Sequence, residues 1–129
     1  MDFERRVLVV DDVPTMRGLI RDMLVDMGFK KVFDAEGADA AWDMIQVRAS
    51  GRDKEIGLVI CDWNLDGLSG LDLLRSVRNS THSRDLPFLM VTSISDAEHI
   101  DRARQDGVSG YIVKPFTAEE LRAKVAEVL

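Results

Sequence analysis

The chain has 129 residues, 23 acidic side chains against 17 basic ones and a formal net charge of −6. Such a length fits one domain that buries roughly two-thirds of its unfolded surface, and the acidic balance argues against nonspecific attraction to DNA, RNA or anionic lipid. A protein partner is expected instead. No apolar run approaches the ~20 residues of a membrane span, and the start, Met1-Asp-Phe-Glu-Arg-Arg6, lacks a cationic segment followed by an apolar one. A cytoplasmic protein without membrane insertion is the expectation. The single cysteine, Cys61, lies in an apolar run and reads as a small buried hydrophobe.

Short apolar runs alternate along the chain with helix-length amphipathic segments, the pattern of βαβ units around a parallel sheet. The first run, Arg6–Val10, ends in Asp11-Asp12. Pro14 suits the first turn of the helix that follows, and Met16, Leu19, Ile20, Met23, Leu24 and Met27 recur at helical spacing until Gly28 stops it. Lys31–Ala35 reads as the second strand, and Ala38, Ala41, Trp42 and Ile45 give the second helix its apolar side. The polar stretch Arg48–Glu55 predicts a long solvated connection. Leu58–Cys61 then runs into Asp62, Phe88–Val91 into Thr92, and Tyr111–Val113 into Lys114. Ser69-x-x-Asp72, Ser95-x-x-Glu98 and Thr117-x-x-Glu120 mark the starts of the last three helices. The fourth helix has a thin apolar side, Ala97, Ile100 and Ala103, and so reads as weakly anchored and able to move.

In an open parallel α/β sheet the carboxyl ends of the strands form the ligand crevice, so Asp11, Asp12, Asp62, Thr92 and Lys114 are predicted to share one pocket. Carboxylates gathered there repel by about 4 kcal/mol per pair at about 4 Å and an effective dielectric of about 20. A bound cation relieves this. Oxygen-only ligands with room for water suit Mg²⁺, with Asp12 and Asp62 as direct ligands and Asp11 acting through water. A carboxylate can also be the nucleophile, forming an aspartyl phosphate, while the metal, Lys114 and the Thr92 hydroxyl neutralise the oxygens of the transferring group. His82, in a polar loop, and His99, on an acidic helix face, read as surface residues.

These motifs together resemble the receiver domains of two-component response regulators, and among them the single-domain chemotaxis type. The residues that carry the resemblance are Val9-Val-Asp-Asp12, Thr15-Met-Arg17, Cys61-Asp-Trp-Asn64, Gly70–Leu74, Leu89-Met-Val-Thr92 and Gly110–Thr117. The resemblance covers nearly the whole chain. It implies a CheY-like doubly wound fold: five parallel strands in the order 2-1-3-4-5 flanked by five helices, in a single receiver domain over 1–129 with no attached output domain. It further implies that Asp62 is the phosphoacceptor, that Asp11, Asp12, Asp62 and the main-chain carbonyl of Asn64 hold Mg²⁺, and that Thr92 and Lys114 contact the phosphoryl group. By the same resemblance Lys114-Pro115 is a cis peptide, and Tyr111 repacks when Thr92 moves. A histidine kinase would be the donor. The output would be a changed affinity for a protein target, the flagellar switch in a motility pathway, through a face near Ile100, Tyr111 and Lys124; a phosphatase is a further expected partner.

The chain departs from the family pattern at three places. Asp66 and Ser69 stand where many members have a proline and an aspartate, the connection over 48–57 is longer than in chemotaxis regulators, and Ile94 occupies a position that, with Asn64, tunes dephosphorylation. A phosphate sink or adaptor would use the same pocket as a switch. A small phosphatase of the haloacid-dehalogenase type would also use an Asp nucleophile, Thr or Ser, Lys and Mg²⁺, but its second acid follows a nucleophile on an early strand by two positions, whereas Asp11 and Asp12 are adjacent and Asp62 lies on the third strand.

Overall fold

A computed structural model describes residues 1–48 and 55–129. The elements follow in strict alternation: β1 (Arg6–Val10), α1 (Pro14–Met27), β2 (Lys31–Ala35), α2 (Ala38–Arg48), β3 (Ile56–Cys61), α3 (Gly70–Asn79), β4 (Phe88–Thr92), α4 (Ala97–Gln105), β5 (Gly110–Val113) and α5 (Ala118–Val128). All strand pairs are parallel, and the sheet order is β2-β1-β3-β4-β5, as the sequence led us to expect. The stretch 49–54, where the expected long connection falls, lies outside the described residues.

Successive side chains of a strand point to opposite faces, and here that alternation divides the core in two. Val7, Val9, Leu58, Ile60, Leu89 and Val91 pack with Ile20 and Leu24 of α1 and Leu121 and Val125 of α5. Leu8, Val10, Val59, Cys61, Phe88 and Met90 pack on the other face with Ala41, Leu74, Val77 and Ala103. Because β1, β3 and β4 are covered on both sides, their sequences are continuous apolar runs instead of alternating ones. The polar residue after each run is therefore the first one the chain can present to the crevice.

Helix ends follow local chemistry with two corrections. Ser69 caps α3 in a reciprocal box with Asp72, and the Thr117 hydroxyl accepts from the Glu120 N–H at the start of α5. At α4, however, the cap is Asp96, not Ser95; its carboxylate accepts from the His99 N–H at 3.2 Å. Both residues are good caps, but a carboxylate is also attracted to the positive end of the helix. The second correction concerns α1. Leu19 is 45% exposed: it sits about 100° around the helix from Ile20, beyond the stripe that Ile20, Leu24 and their neighbours turn to the sheet.

Gly70 opens α3 directly against the end of β3. Its N–H donates to the Trp63 carbonyl at 2.8 Å, and a Cβ at this position would collide with the Asp62 carbonyl. Gly70→Ala is expected to cost about 1–3 kcal/mol, the range for forcing extra atoms into packed structure, measured as a lowered urea midpoint at unchanged slope.

Candidate functional site

The strand ends bring Asp11, Asp62 and Lys114 together, and hydrogen bonds fix how. The Asp11 N–H donates to Ala35 O at 3.2 Å and the Asp62 N–H to Val10 O at 2.9 Å, so both carboxylates leave the sheet from hydrogen-bonded backbone. Asp11 Oδ1 accepts from the Val13 N–H at 2.9 Å, and Asp62 Oδ1 from the Asn64 N–H at 3.1 Å. Their other oxygens meet at Lys114, whose Nζ lies 2.9 Å from Asp11 Oδ2 and 2.7 Å from Asp62 Oδ2. Lys114 is placed by its own N–H, which donates to Thr92 O at 2.8 Å, and the Lys114-Pro115 peptide is cis.

Burial makes these charges matter. Asp11 is 1% exposed and Asp62 9%, so their attraction to the ammonium is little screened by solvent. Burial alone would push the Lys114 amine down, but its hydrogen bonds to Asp62 and Asp11 and their charges outweigh that and raise it. The Cys61 thiol, fully enclosed beneath, is held well above its usual range by burial, then by the charges of Asp62 and Asp11. Cys61 is buried, as expected for a core residue, and a thiol held protonated in this way is a poor nucleophile.

Asp12 stands apart: it is half-buried and forms no hydrogen bond or ion pair among the described residues. Among those residues no three acidic, histidine or cysteine side chains close around a common metal position. The donor chemistry still suits a hard cation that keeps most of its water, because Asp12 is unpaired and the Asn64 main-chain oxygen accepts no hydrogen bond among the described residues. Thr92 is fully buried, and its Oγ1 accepts from the Ile94 N–H at a long 3.4 Å.

Tyr111 reaches back toward this pocket. Its hydroxyl donates to the Ile94 carbonyl at 2.7 Å, and its pKa is pushed up to about 12, first by burial and then by the charges of Asp96 and Asp62. On the outer side of β5, a groove of about 410 Å³ is lined by Tyr111, Val113, Glu120, Ala123 and Lys124 among others. Tyr111 and Lys124 thus share one surface, whereas Ile100 does not line that groove. A cavity of about 430 Å³ at the opposite end of the sheet takes in Arg5, Trp42, Ile45, His82 and Leu86, and none of the strand-end residues.

Two residues acquire structural duties that sequence reasoning did not assign. Arg17 donates to the Asp11 carbonyl at 2.9 Å and pairs with Asp34 at 3.3 Å, bracing the end of β1 against β2. His99 lies at the surface, as expected, with its side chain 40% exposed, and its ring also packs edge-on against Trp63, the residue after Asp62, at 5.0 Å between centroids. Arg17 stood within a recognised motif, but the Trp63–His99 pair joins the β3–α3 loop to the first turn of α4 and has no local signal. Ser69, a departure from the family pattern, is accounted for by the capping of α3, while Asp66 is exposed.

A five-stranded doubly wound sheet with an acidic pocket, a buried hydroxyl and a lysine at its strand ends defines a receiver-type signalling module. The response regulator receiver domain model matches residues 7–126, and the chain belongs to that family. It is 40% identical over 123 residues to the chemotaxis protein CheY of Pseudomonas aeruginosa, covering 95% of this chain and 94% of that protein. Similarity to CheY-3 of Vibrio cholerae is 37% over 123 residues, covering 95% and 90%. The solved structure of CheY4 of Vibrio cholerae superposes with a TM-score of 0.85 at 28% identity, covering 97% of this chain and 98% of that one. Family membership sets aside the haloacid-dehalogenase alternative.

Proposed function

We propose that the chain is a phosphorylation-controlled binding switch of a two-component pathway, with Asp62 as the acceptor. The observation that carries this reading is the Lys114 ammonium held 2.7 Å from the buried Asp62 carboxylate, with the Lys114 N–H donating to the Thr92 carbonyl at the next strand end. An Asp62 oxygen attacks the phosphorus of a kinase phosphohistidine; the O–P bond forms as the P–N bond breaks, and the imidazole nitrogen leaves with the electron pair. Lys114 and the Thr92 hydroxyl each take up an oxygen of the transferred group, as the charge spread over that group requires. Asp12, Asp62 and the Asn64 main-chain carbonyl would hold Mg²⁺, with Asp11 acting through water. Bound there, the ion supplies positive charge against the phosphoryl oxygens.

Movement of Thr92 toward the new group disturbs Ile94, which shares a hydrogen bond with each of Thr92 and Tyr111. The altered face of α4, β5 and α5, with Ile100, Tyr111 and Lys124, then changes its affinity for a protein target in the cytoplasm. The chemotaxis names of the relatives favour a motility pathway, with the flagellar switch as that target; a cognate phosphatase is the further partner of this reading. Pull-downs of that switch component with and without a stable phosphoryl mimic test the reading, and equal recovery in both states would favour a phosphate sink instead.

Ile94 sets the duration of the signal. Partly buried against the core beside Tyr111, it offers no side-chain hydrogen bond to orient an attacking water. The phosphorylated parent is expected to decay several-fold more slowly than Ile94→Glu, followed as loss of label after donor removal; equal or faster decay in the parent contradicts this role.

A further inference from the structure

The start of α4 is tied to the residue that follows Asp62 by a route separate from Thr92, Ile94 and Tyr111. Asp96 caps α4, and its Oδ2 also lies 2.6 Å from His99 Nδ1, so one carboxylate fixes both the helix end and the imidazole. Since a carboxylate only accepts, Nδ1 carries the proton. The same bond holds the Asp96 carboxyl below its usual range. So oriented, the His99 ring meets Trp63 edge-on, with centroids 5.0 Å apart and planes at 69°. That is the geometry in which an aromatic pair gains beyond simple burial.

Trp63 cannot yield independently of Asp62. It is 7% exposed, its carbonyl accepts from Gly70, and the Gly70 Cα lies so close to the Asp62 carbonyl that not even a methyl group would fit between them. A force on the Trp63 ring is therefore borne by the short segment that carries Asp62. All of this is present with Asp62 unmodified and paired to Lys114. A contact made in that arrangement and given up on leaving it raises the cost of leaving, and the proposal takes the Trp63–His99 contact to be given up.

We propose that His99 is a positioning residue for Asp62: acting through Trp63, it holds the β3–α3 segment and the start of α4 together before phosphorylation, and so sets how readily Asp62 accepts a phosphoryl group. The proposal rests on Asp62 being the acceptor. Its consequence is that removing the ring makes phosphorylation easier, although His99 touches neither the phosphoryl group nor its acceptor oxygen.

The test is calorimetric titration of the full chain with beryllium fluoride, a phosphoryl mimic, at saturating Mg²⁺. His99→Ala is expected to bind the mimic about threefold to tenfold more tightly than the parent, the range an edge-to-face ring pair supports. His99→Phe, which keeps a ring edge for Trp63, is expected within about twofold of the parent. Asp96→Ser keeps a cap for α4 while releasing the imidazole, and is expected to tighten binding by less than His99→Ala; it carries the test if His99→Ala does not fold. Unchanged or weaker binding in the variant tested, or the same shift in His99→Phe as in His99→Ala, overturns the role of His99 alone. A parent that does not bind the mimic at all overturns the acceptor reading and this role with it.

Discussion

Asp62→Asn is expected to abolish covalent labelling by a small acyl phosphate, whereas the parent takes up one phosphoryl group per chain, as read by intact-protein mass spectrometry. The amide is nearly isosteric and keeps an oxygen to accept from the Asn64 N–H, but it has no carboxylate electron pair with which to attack phosphorus. The loss is therefore one of chemistry and not of folding, and the variant should retain the parent's circular dichroism. Asp11 is the nearest rival, since it meets the same ammonium. Both carboxylates place one oxygen on a backbone N–H and the other on Lys114, but Asp11 is 1% exposed against 9% for Asp62, so it is the less able to meet a donor. Residual labelling of Asp62→Asn at a rate within tenfold of the parent would move the acceptor elsewhere.

Lys114→Met is expected to have the largest effect on stability, about 3 kcal/mol at neutral pH, the lower end of the range for uncovering a buried charge. Two carboxylates lose their common partner, and the lower figure reflects the partial exposure of the Lys114 and Asp62 side chains. Millimolar Mg²⁺ should narrow the deficit in the variant more than it stabilises the parent, because a cation then stands in for the ammonium. A urea midpoint unchanged from the parent would show that the ion pairs contribute nothing net. The pH dependence has a definite sign. The folded-state pKa of Lys114 is raised above the usual 10.5, so its contribution is complete below that value and is lost as pH rises through the folded value. Tyr111, at about 12 against 10.0 unfolded, loses its contribution over the same alkaline window. The parent should therefore show no loss from these two groups between pH 6 and 9, and lose stability only above about pH 10.

The fold was legible because β1, β3 and β4 are covered on both faces, so each writes an uninterrupted apolar run ending in a chemically informative residue. The pocket was legible for the same reason: Asp11, Asp62, Thr92 and Lys114 are each tied to a strand end, and parallel strands bring such ends together. What the sequence concealed depends on contacts without periodicity. Leu19 falls just outside the packed stripe of α1, Asp96 competes with its neighbour Ser95 for the same helix end, and His99 in the first turn of α4 meets Trp63 in the β3–α3 loop. Ile100 fits the thin apolar side of α4 yet does not line the groove formed by Tyr111 and Lys124. The direct meeting of Lys114 with Asp11 and Asp62 was also hidden, since spacing predicts a shared pocket but not which charges neutralise which.

The account depends on a signal passing from Asp62 to the face formed by α4, β5 and α5. Amide hydrogen exchange of the full chain, with and without beryllium fluoride at saturating Mg²⁺, measures that passage residue by residue. Altered protection is predicted at Thr92 to Ile94, through the first turn of α4 and at Tyr111, with α2 and the buried strand β1 unchanged. Altered protection confined to the pocket residues, with α4 and Tyr111 identical in both states, would contradict the switch.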